Sequence, residues 1–380
     1  MKWASIIIGV LGIVLTVKPF IRSANWFIRL GDFPRLQVVI FLFASLLLLS
    51  FGFDYRNVFD VVFALALVVC IFYQLQTIIP FTVLYRKEVQ TARDGTSEND
   101  ISLLIFNVLM ENENYADALR MIESCDSDIV LLAEPDENWA QNLAPLEEKY
   151  KHTVFCPLDN RYGMMLFSRL PLHDTELRFL IQDDIPSIHT QVRLPDGRDI
   201  ALHGVHPRPP MPGENTRSTE RDGELLLVGK AIRESNLPCI VAGDLNDVAW
   251  SRTTQLFKRV SGLLDPRIGR GFYNTFHAHY PFLRVPLDHV FHSPHFRLSR
   301  LERINDACGS DHFPVFIKLS LEPEATAIQA KPFADETESE EAHEVIGTAL
   351  KDNRYRRLSF RRLREKIANL KHKISRKRQK

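Results

Sequence analysis

The 380-residue chain is 45% hydrophobic and 25% charged, which excludes a disordered or low-complexity protein. Lys+Arg and Asp+Glu both number 47, but the balance is uneven: residues 100–322 hold 23 basic and 32 acidic side chains, and residues 351–380 hold 14 and 2. Five cysteines at irregular spacing give neither a disulfide framework nor a CxxC metal pair, so a small disulfide-stapled secreted protein is excluded.

Residues 1–90 read as a membrane region. The runs 36–53 (LQVVIFLFASLLLLSFGF) and 61–81 (VVFALALVVCIFYQLQTIIPF) carry no charge. Each approaches the ~20 residues that a helix needs to cross ~30 Å of hydrocarbon. A third apolar run over about 3–21 is shorter and depends on Lys18 snorkelling; its alternative is a cleavable signal peptide. Two or three membrane helices are therefore expected. The second and third return the chain to one side, where Lys18, Arg22, Arg29, Arg35, Arg86, Lys87 and Arg93 collect, whereas the loop between them offers only Arg56. The positive-inside rule then places residues 82 onward in the cytoplasm, with an extracytoplasmic placement as the alternative.

A polar linker over 91–99 leads into a region of short strands alternating with a few helices, residues 100–322. The patterning predicts strands over 101–109, 128–134, 163–169, 189–194, 199–205, 239–245, 286–293 and 314–321, and helices over 115–125 and 223–234. Many strands with few helices imply an α+β layered sandwich rather than a doubly wound parallel sheet. No GxGxxG or GxxxxGK[ST] motif occurs, so a nucleotide-cradling loop is not expected.

Polar residues recur at the ends of these strands: Asn107, Glu134, His206, Asp244 with Asn246, Asp288 with His289, and Ser310-Asp311-His312. Strand ends are where a rigid scaffold presents reactive groups. The set is rich in oxygen donors and contains no cysteine, which selects Mg²⁺ or Mn²⁺ over Zn²⁺. A hard cation beside a carboxylate and an imidazole is the combination that phosphate-ester hydrolysis requires.

The order FNV, AEPDE, VHP, GDLND, LDHV and GSDHFPV resembles the endonuclease/exonuclease/phosphatase superfamily, in a membrane-anchored bacterial form, over residues 101–321. The resemblance implies a four-layer α/β/β/α sandwich of the deoxyribonuclease type. It implies a metal held by Glu134, Asn107 and Asp311, and a water activated by Asp244. It makes Asn246 and His206 phosphate contacts, and His312, oriented by Asp288, the stabiliser of the transition state. Pro-Asp after Glu134 departs from many nucleases, and the tyrosine-bearing motif of the apurinic-site enzymes is absent before His206, where Tyr162 takes no assigned role. Arg217 and Arg221, four apart, are candidates to clamp a second phosphate. His203 reads as a strand residue and His289 as a packing or supporting hydrogen-bonded residue, while Asp265 occupies a place that the resemblance often makes acidic or is a structural turn.

Residues 323–350 are acidic without a strong period and are expected to be a disordered linker. Over 351–380, Phe360, Leu363, Ile367, Leu370 and Ile374 recur at helical spacing among basic residues, the pattern of an amphipathic helix on anionic membrane lipid. Nucleic-acid binding and a coiled-coil seam are the alternatives. The combined expectation is a Mg²⁺-dependent phosphoesterase of a bacterial plasma membrane acting on a lipid-linked or membrane-proximal phosphodiester or pyrophosphate. A membrane-tethered nuclease acting on DNA or RNA is the first alternative, and a non-catalytic scaffold the second. The acidic catalytic region argues against the nuclease, which relies on Lys/Arg contacts to phosphates.

Overall fold

The computed structural model describes residues 1–93 and 98–352. The N-terminal part holds α1 (Lys2–Val17), a short α2 (Trp26–Arg29), α3 (Arg35–Ser50) and α4 (Val58–Ile78). Small residues let α1 close on its neighbours. A Cβ on Gly9 would meet Ser45 Oγ at 2.4 Å, and one on Gly12 would meet Leu42 Cδ2 at 2.7 Å. Ser5 Oγ donates to the Ser45 carbonyl (2.8 Å), and Gln74 Nε2 donates to Thr16 Oγ1 (3.0 Å), so polar bonds tie the three long helices together. Two helical stretches, Lys2–Phe20 and Val58–Phe81, are long and apolar enough to cross a membrane; α2 and α3 qualify only as a pair bent by 72°.

The remainder is built on two sheets. The first contains β1 (Asp100–Asn107), β2 (Ile129–Ala133), β3 (His152–Cys156), β4 (Met164–Ser168), β10 (Phe296–Arg303) and β11 (Val315–Leu321), in the order β10-β11-β1-β2-β4-β3. The second runs β5 (Leu172–Arg178), β6 (Ser187–Arg193), β7 (Asp199–Gly204), β8 (Cys239–Asp244) and β9 (Asp288–His292) in sequence order. Strand alternation sorts the side chains. Leu103 and Ile105 of β1 join Leu202 of β7, Ile240 and Ala242 of β8 in the core between the sheets, while Leu104 and Phe106 face outward. Helices α5 (Tyr115–Cys125) and α6 (Glu137–Asn142) cover the first sheet. The second is covered by α7 (Thr219–Glu234), α8 (Arg252–Ser261) and α9 (Glu336–Asp352). This is the expected four-layer α/β/β/α sandwich.

The expected strands and both expected helices form, with ends shifted by a few residues. The segment expected as a disordered acidic linker over 323–350 is a correction. From Glu336 it is helical, because Ala342, Ile346 and Ala349 form a buried stripe at spacings of four and three against α7. From residue 353 on, the expected basic amphipathic helix lies outside the described residues, as do 94–97 of the expected linker. The part of that linker before residue 94 is docked: Ala92 N–H donates to the Leu298 carbonyl (2.9 Å), and Leu298 N–H to that of Gln90 (2.9 Å).

The helical unit is fixed to one face of the sandwich. Phe81, beyond α4, is buried with Val248, Trp250, Ile268, Val285 and Leu287, and Phe33 packs on the same cluster. Trp250 Nε1 donates to the Asp32 carbonyl (2.7 Å), Trp26 N–H to that of Thr216 (2.9 Å), and Gly269 N–H to that of Pro80 (2.8 Å). Segments 18–35 and 80–93 therefore share the end that carries the sandwich, which is also the end where the basic residues collect.

Candidate active site

Parallel pairing of β1 with β2 and of β7 with β8 brings the C-terminal ends of four strands to one edge of the sandwich. The antiparallel neighbours add the start of β9, where Asp288 lies opposite Asp244, and the turn before β11. Asn107, Glu134, His206, Asp244, Asp288, Asp311 and His312 thus meet at one place. Two glycines make this possible. Gly243, at φ 139°, lies so close to β7 that a Cβ would meet the Val205 carbonyl oxygen at 2.0 Å, which places Asp244 beside His206. Gly309, at φ 86°, would strike Asn114 Nδ2 at 2.0 Å, and the next residue, Ser310, donates from Oγ to the Asn107 carbonyl (2.7 Å). Ser310 Oγ also accepts the His312 N–H (3.0 Å), so the GSDH turn is strapped to the end of β1.

Asn107 Nδ2 donates to Glu134 Oε1 (2.8 Å) and to Asp244 Oδ2 (3.1 Å), and its Oδ1 accepts the Leu109 N–H (3.0 Å). Glu134 is held at φ 64° and Asn246 at φ 51°, conformations that cost a non-glycine residue energy and gather at functional sites. His312 Nδ1 donates to Asp288 Oδ2 (2.7 Å), and its Nε2 faces Asp244 Oδ2 at 3.6 Å. His206 Nε2 stands 3.9 Å from both Glu134 Oε1 and Asp244 Oδ2. Asn246 donates from its side chain to the Pro207 carbonyl (3.0 Å), and its backbone N–H caps Asp244 Oδ1 (2.9 Å).

The electrostatics separate the two imidazoles. Burial acts against the charge on His312, but Asp288 and Asp244 outweigh it and push its pKa up to about 10. Burial wins at His206, with the nearby His312 charge acting the same way, and its pKa falls to about 3. Burial together with Asp288 raises Asp244 to about 7, against the opposing pull of His312. Burial also raises Glu134, and the half-buried Asp311 adds to that shift. Asp288 stays low despite its burial because His312 pairs with it. The electrostatics thus set a charged imidazole–carboxylate dyad beside a neutral imidazole and two carboxylates, Asp244 and Glu134, whose pKa values burial raises.

The carboxylate and imidazole donors of Asp244, Asp288 and His312 converge within 4.8 Å. A cation between them is disfavoured, since His312 Nδ1 already serves Asp288 and the ring is held protonated. Glu134 with Asp311 on its flank is the better seat for a hard cation: an oxygen-donor set in which like charge has accumulated and burial resists it. Asn107 turns its NH₂ toward that seat, so it would have to rotate its amide to offer an oxygen.

Arg217 and Arg221 are not brought to this centre. Arg221 is fully buried, donates to Asp222 Oδ1 from Nε (3.0 Å) and Nη2 (2.8 Å) and to the Asn246 carbonyl from Nη1 (2.7 Å), and stands 3.4 Å from Asp247. It holds the loop after β8 and, fully buried, is turned to protein acceptors rather than to the centre. Arg217 lines a separate cavity of about 530 Å³ with Arg22, Arg29 and Arg252. The four-residue spacing of the two arginines carried no sign that Asp247, on a loop 26 residues on, would claim Arg221. His289 is a packing residue as expected: Arg267 Nη2 donates to its Nδ1 (2.7 Å), while its Nε2 donates to the Asp247 carbonyl (2.8 Å). Asp265 pairs with Arg267 (2.8 Å), and His203 meets the His189 ring edge-on, with a hydrogen bond between their Nδ1 atoms (2.6 Å). Asp136, the unusual residue after Glu134-Pro135, caps α6 by accepting the Trp139 N–H (2.9 Å).

Tyr162 is a neighbour that sequence reasoning left aside. Its ring lies 5.5 Å from that of His206, its hydroxyl donates to Glu214 Oε2 (2.8 Å), and the Arg208 guanidinium sits 5.0 Å over its face. Phe276 likewise covers His312, at 5.0 Å between ring centroids. Neither had a sequence signal beyond being aromatic beside a loop.

A model of the Endonuclease/Exonuclease/phosphatase family matches residues 104–312, more than half of the chain. The chain belongs to that family. Its members are phosphodiesterases, nucleases and phosphatases, so the enzyme is a hydrolase of phosphate esters. Several solved structures are similar to part of the chain. An endonuclease/exonuclease/phosphatase of Beutenbergia cavernae is 18% identical, covering 59% of this chain and 72% of that one with a TM-score of 0.48. D. rerio TDP2 complexed with a single-strand DNA product is 19% identical over 58% and 99% of the two chains, TM-score 0.48. The human Nocturnin catalytic domain with bound sulfate is 18% identical over 58% and 94%, TM-score 0.47. No curated protein sequence matches the chain.

Proposed function

We propose that the protein is a membrane-anchored phosphoesterase that uses Mg²⁺ or Mn²⁺ to hydrolyse a phosphodiester or pyrophosphate on a lipid-linked or membrane-proximal substrate. The observation that carries this reading is the docking of the catalytic edge itself onto the helical unit: Val248 and Trp250, just past Asp244, pack on Phe81, and Phe33 joins the same cluster. The anchor would comprise α1, α4 and the bent α2–α3 pair. Basic residues at the sandwich end favour the cytoplasmic face of a plasma membrane, and alkaline-phosphatase activity from a reporter fused after residue 99 would overturn that side.

In this mechanism Glu134 and Asp311, with Asn107, would hold the cation, which when bound neutralises phosphate charge. Asp244, with its pKa near 7, accepts a proton from the attacking water. The His312 imidazolium, held by Asp288, places a donated proton and a positive charge where the phosphoryl oxygens gain charge. His206 remains neutral and, with Asn246, orients the phosphate without adding charge. Tyr162 and Phe276 exclude water from the two imidazoles.

The test is turnover by the full chain in lipid nanodiscs with Mg²⁺, against phospholipids, polyprenyl pyrophosphates, plasmid DNA and RNA. Hydrolysis of a lipid phosphate that stops with EDTA is expected. Cleavage of nucleic acid alone would replace the lipid reading with the nuclease one.

A further inference from the structure

The connection between α8 and β9 carries an exposed apolar tip. Tyr280, Phe282 and Leu283 are 57%, 87% and 62% exposed, three large apolar side chains within four residues. Isolated exposed apolar residues are ordinary, but a contiguous set is a contact surface. Two features fix what it contacts. Gln37 Nε2, in the first turn of α3, donates to the Phe282 carbonyl (2.6 Å). Gln37 is the third residue of that helix, so the tip sits about 3–5 Å along it at a rise of ~1.5 Å per residue. On the same helix Leu36 and Ile40 are exposed, and so are Phe27 and Leu30 of the preceding bend. The tip therefore continues the apolar surface of the helical unit at the end where it meets the sandwich.

The base of the turn belongs to the catalytic centre. Phe276 N–H donates to the Val285 carbonyl (3.0 Å), the Phe276 ring covers His312, and Ala278 N–H donates to the Asp311 carbonyl (2.7 Å). Thr275 Oγ1 accepts the backbone N–H of Asp288 (3.2 Å). Arg284 closes the turn by donating to the Ala278 carbonyl (2.9 Å) and lies over Phe313. One short, internally bonded turn thus has its tip beside α3 and its base on Asp288, Asp311 and His312.

We propose that residues 280–283 form a wedge that inserts into the leaflet from which α3 emerges, so that the catalytic centre sits on the lipid surface and receives a phosphate still attached to a bilayer lipid. This deepens, and its substrate half rests on, the membrane-anchored reading above. Aromatic and aliphatic residues of a surface loop bind at the headgroup–acyl boundary, which is where Gln37 places them. Delivery within the plane of the membrane leaves the acyl chains in place and brings only the headgroup to Asp244 and His312.

The test uses the full chain in vesicles of phosphatidylethanolamine and phosphatidylglycerol. A nitroxide is attached to F282C in a Cys125→Ser background, and to L283C as an independent position in case the first variant folds poorly. Both labels should be accessible to oxygen and shielded from a water-soluble nickel relaxant, as a label at Ile40 would be. A label in open water at both positions overturns the wedge, whatever the substrate proves to be. The paired change F282D/L283D should lower the ratio of phosphatidylglycerol turnover to bis(p-nitrophenyl) phosphate turnover at least tenfold. An unchanged ratio overturns delivery through the wedge. Buried labels in a chain that hydrolyses no lipid phosphate uphold the wedge and overturn the lipid substrate instead.

Discussion

Two buried charged clusters meet at the loop after β8, one around Asp244 at the strand end and one joining Asp247 of the loop to Arg221 and Asp222 of α7, and they behave in different ways. Around Arg221 the ion pairs are hydrogen-bonded on both sides, although burial still raises the Asp247 pKa. Arg221 serves Asp222 and Asp247, Thr254 Oγ1 donates to Asp247 Oδ2 (3.1 Å), and Ser218 Oγ donates to Asp222 Oδ2 (2.7 Å). Around Asp244 the hydrogen bonding is incomplete. Asp288 Oδ1 and His206 Nδ1 are buried without a hydrogen-bond partner among the described residues, and the pKa values of Asp244, His206 and His312 are displaced toward 7, 3 and 10. Burial and charge are common to both clusters, so neither marks a reactive site. What distinguishes the Asp244 cluster is unpartnered polar atoms among carboxylates and imidazoles that converge on one point, which a substrate phosphate and a cation would complete.

The contrast is broken most severely at Asp244. Asp244→Asn should lower turnover by about 10²–10⁴-fold, the usual range for loss of a general base, with the melting temperature nearly unchanged because a costly buried carboxylate has been removed. More than about a tenth of wild-type turnover in a steady-state assay would contradict its role. At the Arg221 cluster the effect should fall on stability instead. Arg221→Met leaves Asp222 and Asp247 buried without their shared cation, and should cost about 3–5 kcal/mol in denaturant unfolding. Unchanged stability with lost turnover would instead make Arg221 a substrate residue.

A finer probe is the dyad. Asp288→Asn removes the nearest charge that holds His312 protonated and leaves only a neutral acceptor, so the His312 pKa should fall from about 10 toward its ordinary 6.5. If the imidazolium is the active form, the alkaline limb of the rate profile moves to lower pH with it. Histidine Cε1–H NMR titration of the metal-free protein reads the shift directly, and a His312 pKa still near 10 would assign its charge to another source.

The residues of the Asp244 cluster were legible in sequence as a group, and those of the Arg221 cluster were not. Asn107, Glu134, His206, Asp244, Asp288 and His312 stand out because they interrupt apolar strands at their ends, where packing has no use for them. Arg221 stands on a helix whose residues 221–226 are buried throughout, and its partner Asp247 sits on a separate loop that only the fold brings near. Missed elements have local reasons. β5 (LHDTELR) and β10 (FRLSRLER) are edge strands with solvated polar positions, so their alternation is weak. For α8 (RTTQLFKRVS), an N-cap was present in Ser251, which accepts the Thr254 N–H (3.0 Å), but β-branched and polar residues hid the period. The stripe of α9 rests on Ala342 and Ala349, whose small side chains scarcely register among the acids around them. The helical region was legible from composition alone, whereas its docking through Phe33, Phe81 and Trp250 was not, because it pairs residues more than 150 positions apart.

The most direct test of this account is Mn²⁺ binding, followed by electron paramagnetic resonance on the purified full chain. The carboxylates at Glu134 and Asp311 should take up the ion, and Glu134→Gln should weaken that uptake at least tenfold by removing an anionic ligand. Asp222→Asn, in the Arg221 cluster, should leave it unchanged. Binding that survives Glu134→Gln at full strength, or that disappears with Asp222→Asn in a folded protein, would contradict the division of the two clusters on which the account rests.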